Sequence, residues 1–245
     1  MGEGIRKSSL FTMFSIIMVA LSITSCGGGG GGGGDSAVTM ATGQALLGPL
    51  CGATVNLYHQ GDLNNPIYST TTTASATLSG AGLFDLPHNL LDDTDLYLLT
   101  ISGGVDIDDD DDGQLDLSST VNNGTLHMIA TGHQIKAVPF KANILTDIVY
   151  QKVVYLFRAG YPELTIREEM EQYAKVLIRE DINGDGNTDY GDLLVWNPVT
   201  DKDKTSRDWS FLKSCIDSVH ACTSYNNNLA LINKNILGSL DTPGT

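Results

Sequence analysis

The sequence feature that most constrains this fold is a twelve-residue acidic segment, DINGDGNTDYGD, at residues 181–192. Oxygen-bearing side chains occupy its positions 1, 3, 5, 9 and 12, and glycine occupies position 6. Ca²⁺ prefers roughly six to eight oxygen ligands, and a loop with this spacing wraps them around one ion. The predicted ligands are Asp181, Asn183, Asp185, Asn187 (through its backbone carbonyl), Asp189 and Asp192. The alternative interpretation is a polar turn without metal.

This pattern resembles the calcium loop of dockerins and other bacterial EF-hand-like modules, in which an aspartate at position 12 is usual. The resemblance covers the loop and its incoming helix, for which Thr165 and Glu168 predict a capping box at the start. One face of that helix carries apolar or aromatic residues at helical spacing: Ile166, Met170, Tyr173 and Leu177. Asn197-Pro198 ends the exiting helix early, so the predicted EF-hand is lopsided. A true dockerin has two tandem loops, whereas the sequence contains one complete loop.

A second acidic segment lies at Asp106–Asp116. With Asp108 as position 1, glycine again falls at position 6, and the predicted ligands are Asp108, Asp110, Asp112, Gln114 and Asp116. Position 12 is Ser119, which cannot bind as a bidentate carboxylate. The segment therefore predicts a weaker calcium site, and a solvated acidic loop is the alternative.

The composition indicates an acidic protein with a packed core. The 245 residues carry a formal charge of −15, and 41% of them are hydrophobic. A nucleic-acid-binding protein usually has a basic face, and this sequence predicts none, so we expect no nucleic-acid partner. The acidity favours cation binding instead.

The N-terminal residues predict export. Arg6 and Lys7 precede a short apolar run, which is typical of a signal peptide at residues 1–25. The following Ile-Thr-Ser-Cys, ending at Cys26, resembles the lipobox of bacterial lipoproteins, which implies lipidation of Cys26 and a membrane partner. Residues 26–42, with eight consecutive glycines, then form a flexible tether. Localisation at the outer membrane or cell surface follows from this resemblance, and an ordinary secretory signal is the alternative.

The rest of the chain predicts an α+β fold, with a β-sandwich at residues 43–140 followed by a helical EF-hand-like region at 141–245. Strands are predicted at Ala53–Tyr58, Ile67–Leu78, Leu83–Leu86, Asp95–Ser102, Gly124–Thr131 and Gln134–Val138. The segments around Cys51 and Phe84 loosely resemble the transthyretin-like or carboxypeptidase-regulatory-like sandwiches of exported bacterial proteins. The apolar period then changes to a helical one, first from Ile144 and later around Trp209–Val219.

The cysteines and histidines complete the prediction. Export makes the environment oxidising, so a Cys215–Cys222 disulfide is expected if the intervening helix ends near His220, and a bond to Cys51 is the alternative. The histidines have no metal-binding spacing, and no catalytic motif is recognisable.

The sequence therefore favours a lipid-anchored, calcium-binding, non-catalytic envelope or surface protein that binds a protein or polysaccharide. Two alternatives stay open: a secreted carbohydrate-active or hydrolase accessory protein, and a dockerin-like module that binds a scaffold protein. A cleft with raised-pKa carboxyl groups away from both acidic loops would favour the former.

Overall fold

The structure, a computed structural model, describes residues 38–137 and 139–225 together with residues 229 and 232. The described part of the chain is a mixed α+β fold with several sheets and five helices. Its strands are β1 (Met40–Leu46), β2 (Leu50–Cys51), β3 (Thr54–His59), β4 (Tyr68–Thr71), β5 (Leu83–Pro87), β6 (Leu96–Ser102), β7 (Val105–Asp106), β8 (Thr120–Val121), β9 (Thr125–Thr131) and β10 (Phe140–Asn143). Its helices are α1 (Gly132–Ala137), α2 (Ile144–Arg158), α3 (Glu163–Leu177), α4 (Tyr190–Leu193) and α5 (Trp209–His220). The predicted signal peptide, Cys26 and the glycine tether lie outside the described residues.

The largest sheet contains four antiparallel strands in the order β4-β3-β6-β9. Its register aligns apolar side chains in rows, so that Val55 is opposite Ile101 and Ile101 is opposite Leu126. All three side chains are fully buried. Because successive side chains point to opposite faces of a strand, this register places one apolar face of the sheet in the core.

Two smaller sheets position the acidic segments. In one, β1 pairs with β5 in antiparallel and with β10 in parallel orientation. In the other, β7 lies between β2 and β8, and the second acidic segment forms the connection from β7 to β8. Residues on both sides of residue 140 share these sheets, and the described residues belong to one compact unit.

The start of α2 is fixed by Asn143, the last residue of β10. Its side-chain oxygen accepts the N–H groups of Leu145 and Thr146, and the Thr146 hydroxyl accepts the Asn143 N–H, which completes a capping box. The Asn143 amide also donates to the backbone oxygen of Leu193 at 2.7 Å. One buried side chain therefore links the sheet, α2 and the end of α4.

The structure confirms five of the six predicted strands, with shifted ends. The prediction of a strand at Gln134–Val138 is wrong, because residues up to Ala137 belong to α1, and Val138 lies outside the described residues. The physical reason is a reciprocal cap. The Thr131 hydroxyl accepts the Gln134 N–H at 3.1 Å, and the Gln134 side chain accepts the Thr131 N–H at 3.0 Å.

The helices predicted before and after the first acidic loop are present as α3 and α5. Ile166, Met170 and Leu177 are buried on one face of α3, as predicted. The predicted capping box at Thr165 is wrong: α3 begins at Glu163, directly after Pro162, and has no side-chain cap. Proline is compatible with a helix start because the first helical N–H groups have no partner within the helix.

Candidate metal centres

The first acidic loop, residues 181–192, connects α3 to α4 and is anchored at its exit. The Tyr190 N–H donates to Glu171 Oε2 in α3 at 2.9 Å. The Tyr190 hydroxyl, which is fully buried, donates to the backbone oxygen of Ile129 in β9 at 2.7 Å. The end of the loop is thus fixed to both α3 and the central sheet.

Asp192, the predicted ligand at position 12, is fully buried and holds the two ends of the loop together. Its Oδ1 accepts the N–H groups of Ile182 and Asn183 at 2.6 and 3.0 Å, and its Oδ2 accepts that of Asp189 at 2.9 Å. Hydrogen bonds to an ionised acceptor are stronger than those between neutral groups. Asp192 therefore organises the loop through main-chain contacts.

The two acidic loops share the same three hydrogen bonds around positions 1, 3 and 5. Position 1 accepts the N–H of the position-6 glycine, position 3 accepts that of position 5, and position 5 accepts that of position 7. These distances are 2.8, 2.9 and 2.8 Å in the first loop and 3.2, 3.1 and 2.7 Å in the second. Gly186 and Gly113 both have positive φ, 90° and 85°, which glycine adopts without strain. Positions 1, 3 and 5 are Asp181, Asn183 and Asp185 in the first loop and Asp108, Asp110 and Asp112 in the second.

The first loop concentrates negative charge near solvent. Burial, reinforced by the charges of Asp185, Asp192 and Asp181, raises the pKa of Asp189. Asp181, Asp185 and Asn187 are exposed, so a cation can reach the loop from solvent. Neutralising these carboxylates with a divalent cation would remove the repulsion between them.

In the second loop the structure brings three predicted ligands together. Oxygens of Asp108, Asp110 and Asp112 lie within 4.8 Å of one another, whereas the carboxylates of residues 181–192 form no such group of three. Asp108 is fully buried, and burial raises the pKa of its carboxyl group. The Asp116 carboxylate accepts the Asp109 N–H at 2.7 Å, and the Gln114 amide donates to Asp112 at 3.1 Å.

His220 lies near three aspartates of the second acidic segment that ligand spacing does not predict as calcium ligands: Asp106, Asp109 and Asp111. Asp109 is partly exposed, and the other three residues are buried. His220 Nε2 lies 3.2 Å from Asp106 Oδ2, and its Nδ1 lies 3.3 Å from Asp109 Oδ1. Burial, together with the charges of Asp106 and Asp108, raises the pKa of Asp111 to about 9. No spacing pattern predicts this cluster, since His220 is more than one hundred residues from the aspartates.

His127 lies beside the buried carboxylate of Asp147. Its Nδ1 is 2.7 Å from Asp147 Oδ1, and its ring stacks on Tyr150 with the ring centres 4.2 Å apart. The Tyr225 hydroxyl donates to the other oxygen of Asp147. These contacts tie β9 and α2 to the segment that follows α5.

Cys215 and Cys222, the predicted disulfide partners, are both free cysteines in this structure, as is Cys51. The helix between them ends at His220, as the prediction required. Cys215 nevertheless lies in the core, where burial raises the pKa of its thiol to about 12, while Cys222 is exposed at φ 54°.

Comparison of the chain with protein-family models, with curated proteins and with solved structures found no significant match. Within residues 38–137 and 139–225, no helix has both the length and the apolar character needed to cross a bilayer.

Proposed function

We propose that this protein is a calcium-stabilised, lipid-anchored envelope or surface protein whose role is binding and not catalysis. Its ligand would be a protein or a polysaccharide. In this proposal residues 43–140 correspond to a β-sandwich, and α3, the first acidic loop and α4 to a lopsided EF-hand-like unit. Cys26 would carry the lipid, and residues 27–34 would hold the folded part away from the membrane.

One observation carries the calcium assignment: two loops far apart in sequence adopt the same hydrogen-bond pattern around positions 1, 3 and 5. In each bond a side-chain oxygen accepts a main-chain N–H, so the backbone of each loop curls around its own acidic side chains. Ca²⁺ accepts many oxygen ligands in flexible geometry, and this arrangement suits it better than Mg²⁺, which demands near-ideal octahedral geometry. Affinities of extracellular sites are often about 10⁻⁴–10⁻³ M, which suits a structural ion outside the cell.

The carboxyl groups of the described residues whose pKa is raised are Asp108, Asp111, Glu171 and Asp189. Asp108 and Asp111 lie in the second loop, and Asp189 lies in the first. Glu171 lies outside both loops and accepts the N–H of Tyr190, at the end of the first loop. Their placement supports a role for these groups in cation binding, and so favours the binding function over the hydrolase alternative.

The lipid anchor is tested by expressing the full chain in a bacterial host with labelled fatty acid. We expect label in the membrane fraction for the wild type and for Cys222→Ala, a control that removes an exposed cysteine. Cys26→Ala should lose both the label and the membrane association. Equal labelling of Cys26→Ala would overturn the anchor, and the calcium assignment would then be judged separately by the titration described at the end of the Discussion.

A further inference from the structure

The position of His220, at the C-terminal end of α5, is set by main-chain contacts with the β8–β9 connection. Asn123 N–H donates to the His220 backbone oxygen at 2.9 Å. A Cβ added to Gly124 would lie 2.0 Å from the Val219 backbone oxygen, so this close approach requires glycine. The imidazole is therefore placed against the acidic segment by the backbone, and not by a flexible side chain alone.

The His220 ring is buried, with 5% of the residue exposed, yet neither ring nitrogen has a hydrogen-bond partner among the described residues. The Asp111 carboxylate, 1% exposed, likewise has no hydrogen bond to either oxygen within the described part of the chain. Buried polar groups in folded proteins are nearly always paired, and an unpaired one commonly marks a bound ion or a functional site. One of these groups, His220, lies beside the carboxylates of Asp106 and Asp109.

The donor atoms match the requirements of a transition metal. One ring nitrogen of His220 and one oxygen each of Asp106 and Asp109 lie within 4.8 Å of one another. Zinc binds histidine nitrogen and carboxylate oxygen at roughly 2.0–2.2 Å, which separates tetrahedral ligand atoms by about 3.4 Å. The distance from His220 Nε2 to Asp106 Oδ2 is 3.2 Å. Ca²⁺, in contrast, takes oxygen ligands.

We propose that Asp106, Asp109 and His220 form a binding site for a divalent transition-metal cation of the Zn²⁺ type. None of the three is a predicted calcium ligand, although Asp109 lies within the second acidic loop. Asp106 is oriented for this role, because its two oxygens accept the N–H groups of Gly48 at 2.7 Å and Asp108 at 3.0 Å. Such bonds to ligating carboxylates usually strengthen metal sites.

A cavity connects the site to solvent, and a lysine competes with a cation for one of the ligand oxygens. Asp109 and His220 line a solvent-open cavity of about 340 Å³, together with Asp217 and residues of β8. The Lys213 ammonium lies 3.1 Å from Asp109 Oδ1 and competes with a cation for that oxygen. The competing explanation for the cluster is a purely structural ion pair, in which a protonated His220 lies between Asp106 and Asp109.

The test is a Zn²⁺ titration of the full chain by calorimetry, in buffer with saturating Ca²⁺. We expect one Zn²⁺ per chain for the wild type and for His133→Gln, a control at an exposed histidine. His220→Gln and Asp109→Asn should each weaken Zn²⁺ binding at least tenfold, because each removes a ligand. Lys213→Met should bind Zn²⁺ about tenfold more tightly, since it removes the competing positive charge.

Three outcomes would overturn the proposal: no Zn²⁺ binding by the wild type, unchanged affinity in both ligand variants, or unchanged affinity in Lys213→Met. If His220→Gln does not fold, as judged by circular dichroism, Asp109→Asn decides, because Asp109 lies at the cavity rim and is partly exposed. Thermal melts of the same proteins with and without Ca²⁺ keep this test separate from the calcium assignment. Calcium stabilisation without Zn²⁺ binding would reject only the new site.

Discussion

Replacing Asp192 by alanine separates the two roles of this residue, which organises the first loop and serves as a predicted calcium ligand. Its carboxylate accepts three main-chain N–H groups and is fully buried. Hydrogen bonds to charged groups contribute about 1.5–3 kcal/mol each. Water can replace part of this at the rim of the loop, so we expect Asp192→Ala to lower the free energy of unfolding in EGTA by about 2–4 kcal/mol.

Asp181→Ala is the matched comparison at position 1. The Asp181 carboxylate accepts the N–H groups of Gly184 and Gly186 at 2.7 and 2.8 Å, but it is exposed. Solvent can hydrate both glycine N–H groups after the substitution. We therefore expect the loss of stability in EGTA to be smaller than for Asp192→Ala, about 0.5–1.5 kcal/mol.

Calcium adds a second difference between the wild type and both variants. With a dissociation constant of about 0.1 mM, 10 mM calcium would stabilise the wild type by about 2.7 kcal/mol. That corresponds to a rise in melting temperature of roughly 5–11 °C for a domain of this size. Both variants should lose most of this increment. The assay is urea unfolding and thermal melting in EGTA and in calcium; an Asp192→Ala variant as stable as the wild type in EGTA, or equally responsive to calcium, would refute the reasoning.

Three further predictions follow from the second acidic segment and the cysteines. Asp111→Asn should flatten the pH dependence of stability in EGTA. The folded-state pKa of Asp111 is about 9 and the ordinary value is 3.8, so the folded state retains a proton that the unfolded state releases. The stability of the wild type therefore falls as the pH rises from about 4 to 9. Melts between pH 5 and 9 should show a gain of at least about 1.4 kcal/mol for this variant at pH 8, and an unchanged pH profile would contradict it. Gly48→Ala should lower the free energy of unfolding in urea by about 2–4 kcal/mol, because its Cβ would lie 2.2 Å from Asp106 Oδ1. The control Gly52→Ala, with φ 69° and no atom within 4 Å, should lower it by only about 1 kcal/mol. Equal losses would be inconsistent with this packing. Maleimide should label Cys222 in the native protein much faster than Cys215, because Cys222 is exposed and burial raises the pKa of the Cys215 thiol. Mass spectrometry of peptides can measure the two rates. Protection of both cysteines would instead indicate a disulfide.

Much of the local structure follows from sequence periodicity. The alternation around Val55 and Leu57 predicts β3, and the apolar spacing of Ile166 and Met170 predicts α3, because each pattern has only one way to bury its apolar face. The ends of the elements are less predictable. Thr-x-x-Gln at 131–134 and Thr-x-x-Glu at 165–168 are both capping-box patterns, but only the first caps a helix.

The difference between these two patterns lies in their neighbours. α3 begins at Glu163, directly after Pro162 and two residues before Thr165, so the second pattern falls inside the helix. The signal at Thr131 was present in the sequence, but the preceding strand residues favoured a strand interpretation of Gln134–Val138. Local sequence preference alone does not decide between a strand and a helix after Thr131.

The candidate sites also differ in whether their residues come from one segment or from distant segments of the chain. Ligand spacing within one segment predicts positions 1, 3 and 5 of both loops as ligands, because a contiguous turn brings its own side chains together. His220 could not be assigned from spacing, since its approach to Asp106 depends on the docking of α5 beside Gly124. A site assembled from distant segments becomes visible only when the tertiary packing is known.

The most direct test of the central claim is a calorimetric calcium titration of the full chain beside a variant that combines Asp181→Ala with Asp192→Ala. We expect saturable binding in the range of about 10⁻⁴–10⁻³ M for the wild type. We also expect loss of that site in the double variant, with the heat from the second loop remaining as a weaker event. Absence of binding by the wild type at millimolar calcium, or an unchanged isotherm in the double variant, would contradict the claim that residues 181–192 bind calcium.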